Sequence, residues 1–249
     1  MHSAVPETMS PMTSRRLFAA NACLAGLFAL LSVLVLLAGV SADVPLFIST
    51  WSSDGLGGYT ALTMSAGYIR LGWLSVAFLA LAAVDHGACC VFRHTYESQV
   101  ARGCNSFRWT EYFASASIMN VQIAALSGIL DVQLLVCVGV LTALCQLAGS
   151  LEERTGGCVA VRLLGFGSFL VAWTIIFANF HIDVQHAANA IPTWVYAIVI
   201  VLFMLECLFP LNQLRPARHA NREAGYLLLS VVAKVSLAAM VWGGLRSIS

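Results

Sequence analysis

Seven stretches of about 20 mostly apolar residues follow one another with short joints: Leu17–Val40, Leu62–Val91, Phe107–Gly128, Val132–Ala148, Val159–Phe180, Ile191–Leu211 and Gly225–Leu245. At about 1.5 Å per residue, each is long enough as a helix to cross the roughly 30 Å hydrocarbon core of a bilayer. A bilayer gives the backbone no hydrogen-bond partner, so such segments have to satisfy their own N–H and C=O groups as helices. The runs therefore predict an all-α membrane protein, a seven-transmembrane helix bundle, with residues 1–16 as an N-terminal tail and 17–249 as one helical domain. Only 10% of the residues are charged, against about 25% in soluble domains, so no separate soluble module is expected.

The first run follows Arg15 and Arg16 and precedes Val40-Ser41-Ala42, the layout of a secretory signal. Its 24 residues exceed the roughly 7–15 of a signal-peptide core, so it is read as a retained helix. Arginine placement assigns the sides, because positive residues collect in cytoplasmic joints. With the N-terminus inside, the inner joints hold Arg15, Arg16, Arg93, Arg102, Arg108, Arg154, Arg162, Arg215, Arg218 and Arg222, and the outer side only Arg70 and Arg246. The N-terminus is expected in the cytoplasm and the C-terminus outside, in a lipid membrane expected to be the cell membrane. None of the eight cysteines falls in an outer loop, so no disulfide framework is implied. A net charge of +1 argues against a nucleic-acid partner. No repeat of 20–50 residues is visible. The long outer connection, residues 41–60, mixes β-branched and aromatic residues with Gly55, Gly57 and Gly58; a short β-hairpin and an irregular loop both fit it.

The chain has twelve arginines and one lysine, Lys234, in the middle of the seventh run. A cation at the centre of a bilayer helix costs roughly 2.5–3.5 kcal/mol, and such residues mark functional interiors. The other ionisable residues within or beside the runs are Asp85, His86, Glu111, Asp131 and Glu206. A buried lysine needs a carboxylate, and Glu111 and Glu206 are the candidates. Ser230 and Tyr226 share the helical face of Lys234, while Glu111, Ser115, Ile118, Met119 and Gln122 form one stripe of the third run. That mixture of carboxylate, hydroxyl, thioether and amide reads as the wall of a pocket. The third helix is expected to start ahead of its apolar run, near Gln99, so that Glu111 reaches membrane depth. An amine in an apolar pocket can condense with an aldehyde, and the conjugated aldehyde that fits between seven helices is retinal. Trp173, Phe203, Met119 and Gln122 then become candidates to line a polyene, although aromatic and Met residues at helical spacing also serve plain packing.

The run FRWTEYFASASIMN (107–120), with its Arg-Trp-x-Glu-Tyr core, and SVVAKVSLA (230–238) resemble the third and seventh helices of the heliorhodopsins. AAVDHGACC (82–90) and GILD (128–131) are similar to the same family, and the likeness extends from Leu17 to Leu245. The resemblance implies the inverted topology that the arginines give independently. It implies all-trans retinal on Lys234 as a protonated Schiff base, Glu111 as counterion, Ser230 beside the Schiff base, and His86 in a polar cytoplasmic cavity with Arg108 and Tyr112 nearby. It further implies a homodimer and a light-sensing photoreceptor with a slow photocycle, read out by an unnamed cytoplasmic partner, and no enzyme.

Three positions depart from that family. Its first-helix histidine has no counterpart in LAGLFALL (24–31), where Ala29 is expected in its place; Ala239 stands where a tryptophan is common; and Glu206 replaces an aromatic residue. Glu206 can extend a polar path for a light-gated proton channel or transporter, or be a neutral acid hydrogen-bonded to a neighbour. His86 fits a proton-accepting cavity or a structural histidine beside Asp85. Two rival readings belong to another class: Ser230 and Lys234 have the spacing of a Ser–Lys hydrolytic dyad, and His181, Asp183 and His186, expected in an outer loop, could hold a metal ion.

Overall fold

The computed structural model describes residues 10–53, 55, 57–187, 190–214 and 219–248. Most of the N-terminal tail, and Arg215 and Arg218, lie outside the described residues. The elements in chain order are α1 (Pro11–Ala38), β1 (Asp43–Ser53), β2 (Tyr59–Arg70), α2 (Leu71–Val91), α3 (Arg93–Ala101), α4 (Ser106–Leu126), α5 (Val132–Thr155), α6 (Val159–His186), α7 (Thr193–Gln213) and α8 (His219–Ile248). Six of these helices, α1, α2, α5, α6, α7 and α8, are long and apolar enough to cross a membrane. The 21-residue α4 is more polar, and it is the inner helix, with α2, α5 and α7 around it.

Burial in the bundle is inverted relative to a soluble protein. In α1 the buried residues include Ser14, Asn21 and Ser32, while Leu30, Val33, Leu34 and Leu37 face outward. Leu163, Leu164 and Leu170 of α6 and Ile200 and Met204 of α7 are likewise exposed. An apolar belt of this extent is the surface of an integral membrane protein. Inside it, Phe28, Phe78, Ile123, Val138, Ile176, Ile198 and Leu237 form the core. The α6–α7 seam is closed by aromatic rings, Phe203 packing on Phe169, Trp173 and Phe177.

The outer connection is a β-hairpin, and it is longer than expected. β1 and β2 pair antiparallel from Asp43↔Arg70 to Ser53↔Tyr59. The second apolar run is therefore split: residues 59–70 are strand and the helix begins only at Leu71. β-branched and aromatic residues favour the extended chain here, and Gly67, at φ +101°, accommodates the irregularity opposite Leu46 and Phe47. The hairpin docks on the joint between α4 and α5. Phe47 N donates to Leu130 O at 3.0 Å and Ser49 N to Asp131 Oδ2 at 3.2 Å. Asp131 also caps α5 through the amides of Gln133 and Leu134.

Two further expectations are corrected. The third membrane helix does not start near Gln99; that residue belongs to α3, a separate short helix ended by Gly103 at φ +77°, and α4 starts at Ser106 with Asn105 as its cap. The residues His181 to His186 are not in a loop but in the last turns of α6, where His181 pairs with Gln185 at 3.0 Å. Among the described residues no group of three His, Cys, Asp or Glu side chains is arranged so that it could hold a metal ion.

Candidate functional site

Steps of three and four residues put Glu223, Tyr226, Ser230 and Lys234 on one face of α8. The same arithmetic puts Arg108, Glu111, Ser115 and Met119 on one face of α4, and the two faces oppose each other. Lys234 Nζ lies 3.4 Å from Glu111 and donates to Ser230 Oγ at 2.8 Å. The Tyr112 ring is 4.9 Å from Nζ, and its hydroxyl donates to the Tyr226 carbonyl. Lys234, Ser230 and Glu111 are 3%, 3% and 7% exposed, so this is a buried, neutralised pair. A hydrolytic Ser–Lys dyad would use the same 2.8 Å contact but has no need of the carboxylate.

From Lys234 a partly open cleft runs between α4, α5, α6 and α7. Met119, Cys145, Phe169, Glu206 and Phe209 line it near Lys234, so there it is mostly apolar with one carboxyl group, while Glu152, Arg162 and Gln213 complete its wall at the arginine-rich end. An elongated, mostly apolar cleft beside an amine has the character that a long conjugated chain needs. Glu206 Oε2 accepts from Trp173 Nε1 at 2.9 Å and from Asn120 Nδ2 at 3.2 Å, and Asn120 also donates to Thr142. Ser115 Oγ is fully buried and has no protein partner among the described residues, which leaves a polar atom beside the pair for a bound group.

On the other side of Glu111, toward the arginine-rich end of the bundle, is a small polar cavity. His86, Asp85, Asn21, Glu111, Ser230 and Glu223 contribute to its wall. Its floor is a network of buried charges. Arg108 pairs with Glu223 and with Glu153, the latter at 2.6 Å; Trp109 Nε1 donates to Glu153 at 2.6 Å; Asn105 donates to Glu223 at 2.7 Å. Tyr96 of α3 donates to Glu223 at 3.3 Å, and burial, with Glu223 beside it, holds its phenol well above the ordinary value. The floor thus seals the cavity from the end of the bundle.

The residues expected at the site are only partly brought together. Lys234, Glu111, Ser230, Tyr112, Met119 and Glu206 converge. Trp173 reaches the cleft only through Glu206, and Phe203 packs behind Trp173. Gln122 is tied to Leu71 and Ser75 of α2, toward the hairpin, and is not part of the cleft wall. Arg108 is not a partner of Glu111, because two other carboxylates hold it. Ala29 faces outward and does not replace a histidine; the α1 side chains that meet His86 are Asn21 and Phe28. Asn21, Glu153 and Glu223 were not singled out by the sequence, though Glu223 lies on the Lys234 stripe.

Residues 17–245 match the family described as heliorhodopsin. No curated protein matches the sequence. Among solved structures, the chain is similar to xanthorhodopsin, described as a light-driven ion pump with dual chromophore, with a TM-score of 0.68 at 12% identity, over 97% of this chain and 96% of that one. It is also similar to a light-driven proton pump from Leptosphaeria maculans, with a TM-score of 0.56 at 10% identity, over 98% of both chains. At these identities the likeness is one of fold.

Proposed function

Because the chain belongs to the heliorhodopsin family, we propose that it is a light-sensing photoreceptor, not an enzyme, in which Lys234 holds all-trans retinal through its Nζ. The observation that carries the reading is the chain's single lysine, buried at the foot of an apolar cleft with a carboxylate at 3.4 Å and a hydroxyl at 2.8 Å. When bound, retinal supplies absorption of visible light and a change of shape. The protein supplies the rest. Glu111 balances the positive charge at Nζ, Ser230 orients the Nζ–H, and Met119, Phe169 and Phe209 keep water from the cleft. The polar cavity around His86 takes part when the proton at Nζ moves, and the sealed floor makes its return slow. In this reading α4 is a seventh span, the N-terminus lies in the cytoplasm, the membrane is the cell membrane, and a cytoplasmic partner reads the signal. The protein acts as a homodimer, with the exposed Trp51, Tyr59, Met64 and Tyr68 of the hairpin available to a second copy.

The test is Lys234→Ala in cells given all-trans retinal. The wild type should show a visible absorption band and the variant none; a coloured variant would end the reading. A second reading, a light-gated proton conductance, is favoured by Glu206 lining the same cleft as Lys234. Under voltage clamp, a photocurrent that follows the proton gradient and disappears in Glu206→Gln would establish it, and a silent, pigmented wild type would leave the sensor.

A further inference from the structure

His86 of α2 stacks on Phe28 of α1, with ring centroids 5.6 Å apart and planes 7° from parallel. Its Nδ1 lies 2.7 Å from Asn21 Oδ1. Asn21 is 1% exposed, and its Nδ2 donates to the Leu17 carbonyl at 2.9 Å, one turn back. A carbonyl oxygen only accepts, so the amide nitrogen has to face Leu17 and the amide oxygen His86. An amide oxygen also only accepts, so the hydrogen of the Asn21–His86 contact sits on Nδ1. In a neutral imidazole that leaves the lone pair on Nε2. Among the described residues nothing hydrogen-bonds to Nε2. The ring borders the cavity that also holds Glu111 and Ser230, the two partners of Lys234.

We propose that Asn21 is a positioning residue: it fixes His86 as the Nδ1–H tautomer and so makes Nε2 the atom that receives the proton leaving Lys234 Nζ. The proton's departure rests on the retinal reading above, whereas the tautomer is a property of the protein alone. The step balances, since one N–H bond breaks at Nζ, one forms at His86 Nε2, and the positive charge moves from α8 to α2 while Glu111 keeps its negative charge. The charged and titratable groups facing His86 are Asp85 and Cys89 on its own helix, Arg108, Glu111 and Tyr112 on α4 and Glu223 and Lys234 on α8. The Tyr96 hydroxyl of α3 is within hydrogen-bond reach of Asn21. An amide takes up no proton at neutral pH, so α1 orients the imidazole and adds no base of its own.

The experiment is nitrogen-15 NMR of histidine-labelled protein without retinal, with His86→Gln identifying the signal. Wild type should show protonated Nδ1 and bare Nε2. Asn21→Leu should shift the tautomer ratio toward Nε2–H by about fivefold, the weight of one ordinary hydrogen bond. Asn21→Asp, which keeps an acceptor, should keep the hydrogen on Nδ1. In the pigmented protein, proton loss from Nζ, followed at the visible band, should slow in Asn21→Leu and recover in Asn21→Asp. An Nε2–H tautomer in the wild type, or an unchanged ratio in Asn21→Leu, overturns the proposal. The expected tautomer in a protein that takes up no retinal would overturn both the proton step and the photoreceptor reading, leaving only the tautomer.

Discussion

Glu111 and Lys234 lie 3.4 Å apart with both side chains closed off from solvent, so neither charge has water to fall back on. Removing one charge therefore changes the field at Nζ directly. Glu111→Gln keeps the shape and removes the charge, and its expected outcome is a pigment absorbing to the red of the wild type or lacking the visible band; an unchanged spectrum would show that Glu111 is not the counterion. Lys234, Ser230 and Glu111 were legible because a rare charge in an apolar run is conspicuous and the helical period shows what shares its face. Asn21 was not legible, because one amide in a leucine-rich run reads as a tolerated exception; its role depends on His86, 65 positions away. Glu153 and Glu223 lie in polar stretches near helix ends and carry no sequence signal of their own, and only the fold brings both onto Arg108. The aromatic and amide candidates show the opposite case. Gln122 and Phe203 have suitable chemistry and spacing, but a stripe on a long helix passes the site and continues to other contacts.

Hydropathy counts apolar residues without regard to period, which is why it merged β2 with α2 into one long run. The strand residues Leu62, Met64 and Ile69 are as apolar as a helix would need, and their extended form is set by pairing with β1. The apolar run beginning at Phe107 marks the start of α4 to within a residue; the extension back to Gln99 was wrong because α3 and the break at Gly103 fall in a polar stretch, where hydropathy has nothing to resolve. Asp131 joins two elements, capping α5 and holding β1 through Ser49. Burial raises its pKa, while the amides of Leu134, Ser49 and Gln133 and the Ser49 hydroxyl together lower it by more, so the carboxyl lies below its ordinary value near 3.8. A carboxyl with a lowered folded value contributes stability that is complete above the unfolded value and is lost as pH falls through the folded one. Asp131→Ala should cost about 1 kcal/mol at neutral pH, as a lost helix cap does, and should speed hydrogen exchange at Ser49. The gap between wild type and variant in thermal unfolding should narrow as pH drops below about 4, the ordinary aspartate range. A gap that stays constant with pH would mean that another contact holds the hairpin.

At the scale of the whole molecule the charges divide between the two ends. Arg70 and Arg246 lie at the hairpin end, and Arg15, Arg16, Arg93, Arg102, Arg108, Arg154, Arg162 and Arg222 at the other, by the helix ends they occupy. The asymmetry of positive residues predicts which end stays in the cytoplasm. The buried Arg108–Glu153–Glu223 network lies between the polar cavity and that end, so under the proposed function the orientation would also decide which compartment a proton leaving Nζ is held away from. Cys158, exposed at the start of α6, is a natural probe. A membrane-impermeant maleimide should leave it unmodified in intact cells and label it once they are permeabilised. Ser53→Cys, where β1 enters the hairpin turn, should label in intact cells. The opposite pattern would put the arginine-rich end outside. The His86 cavity would then face the exterior, and a receiver of the signal would have to be sought at the hairpin.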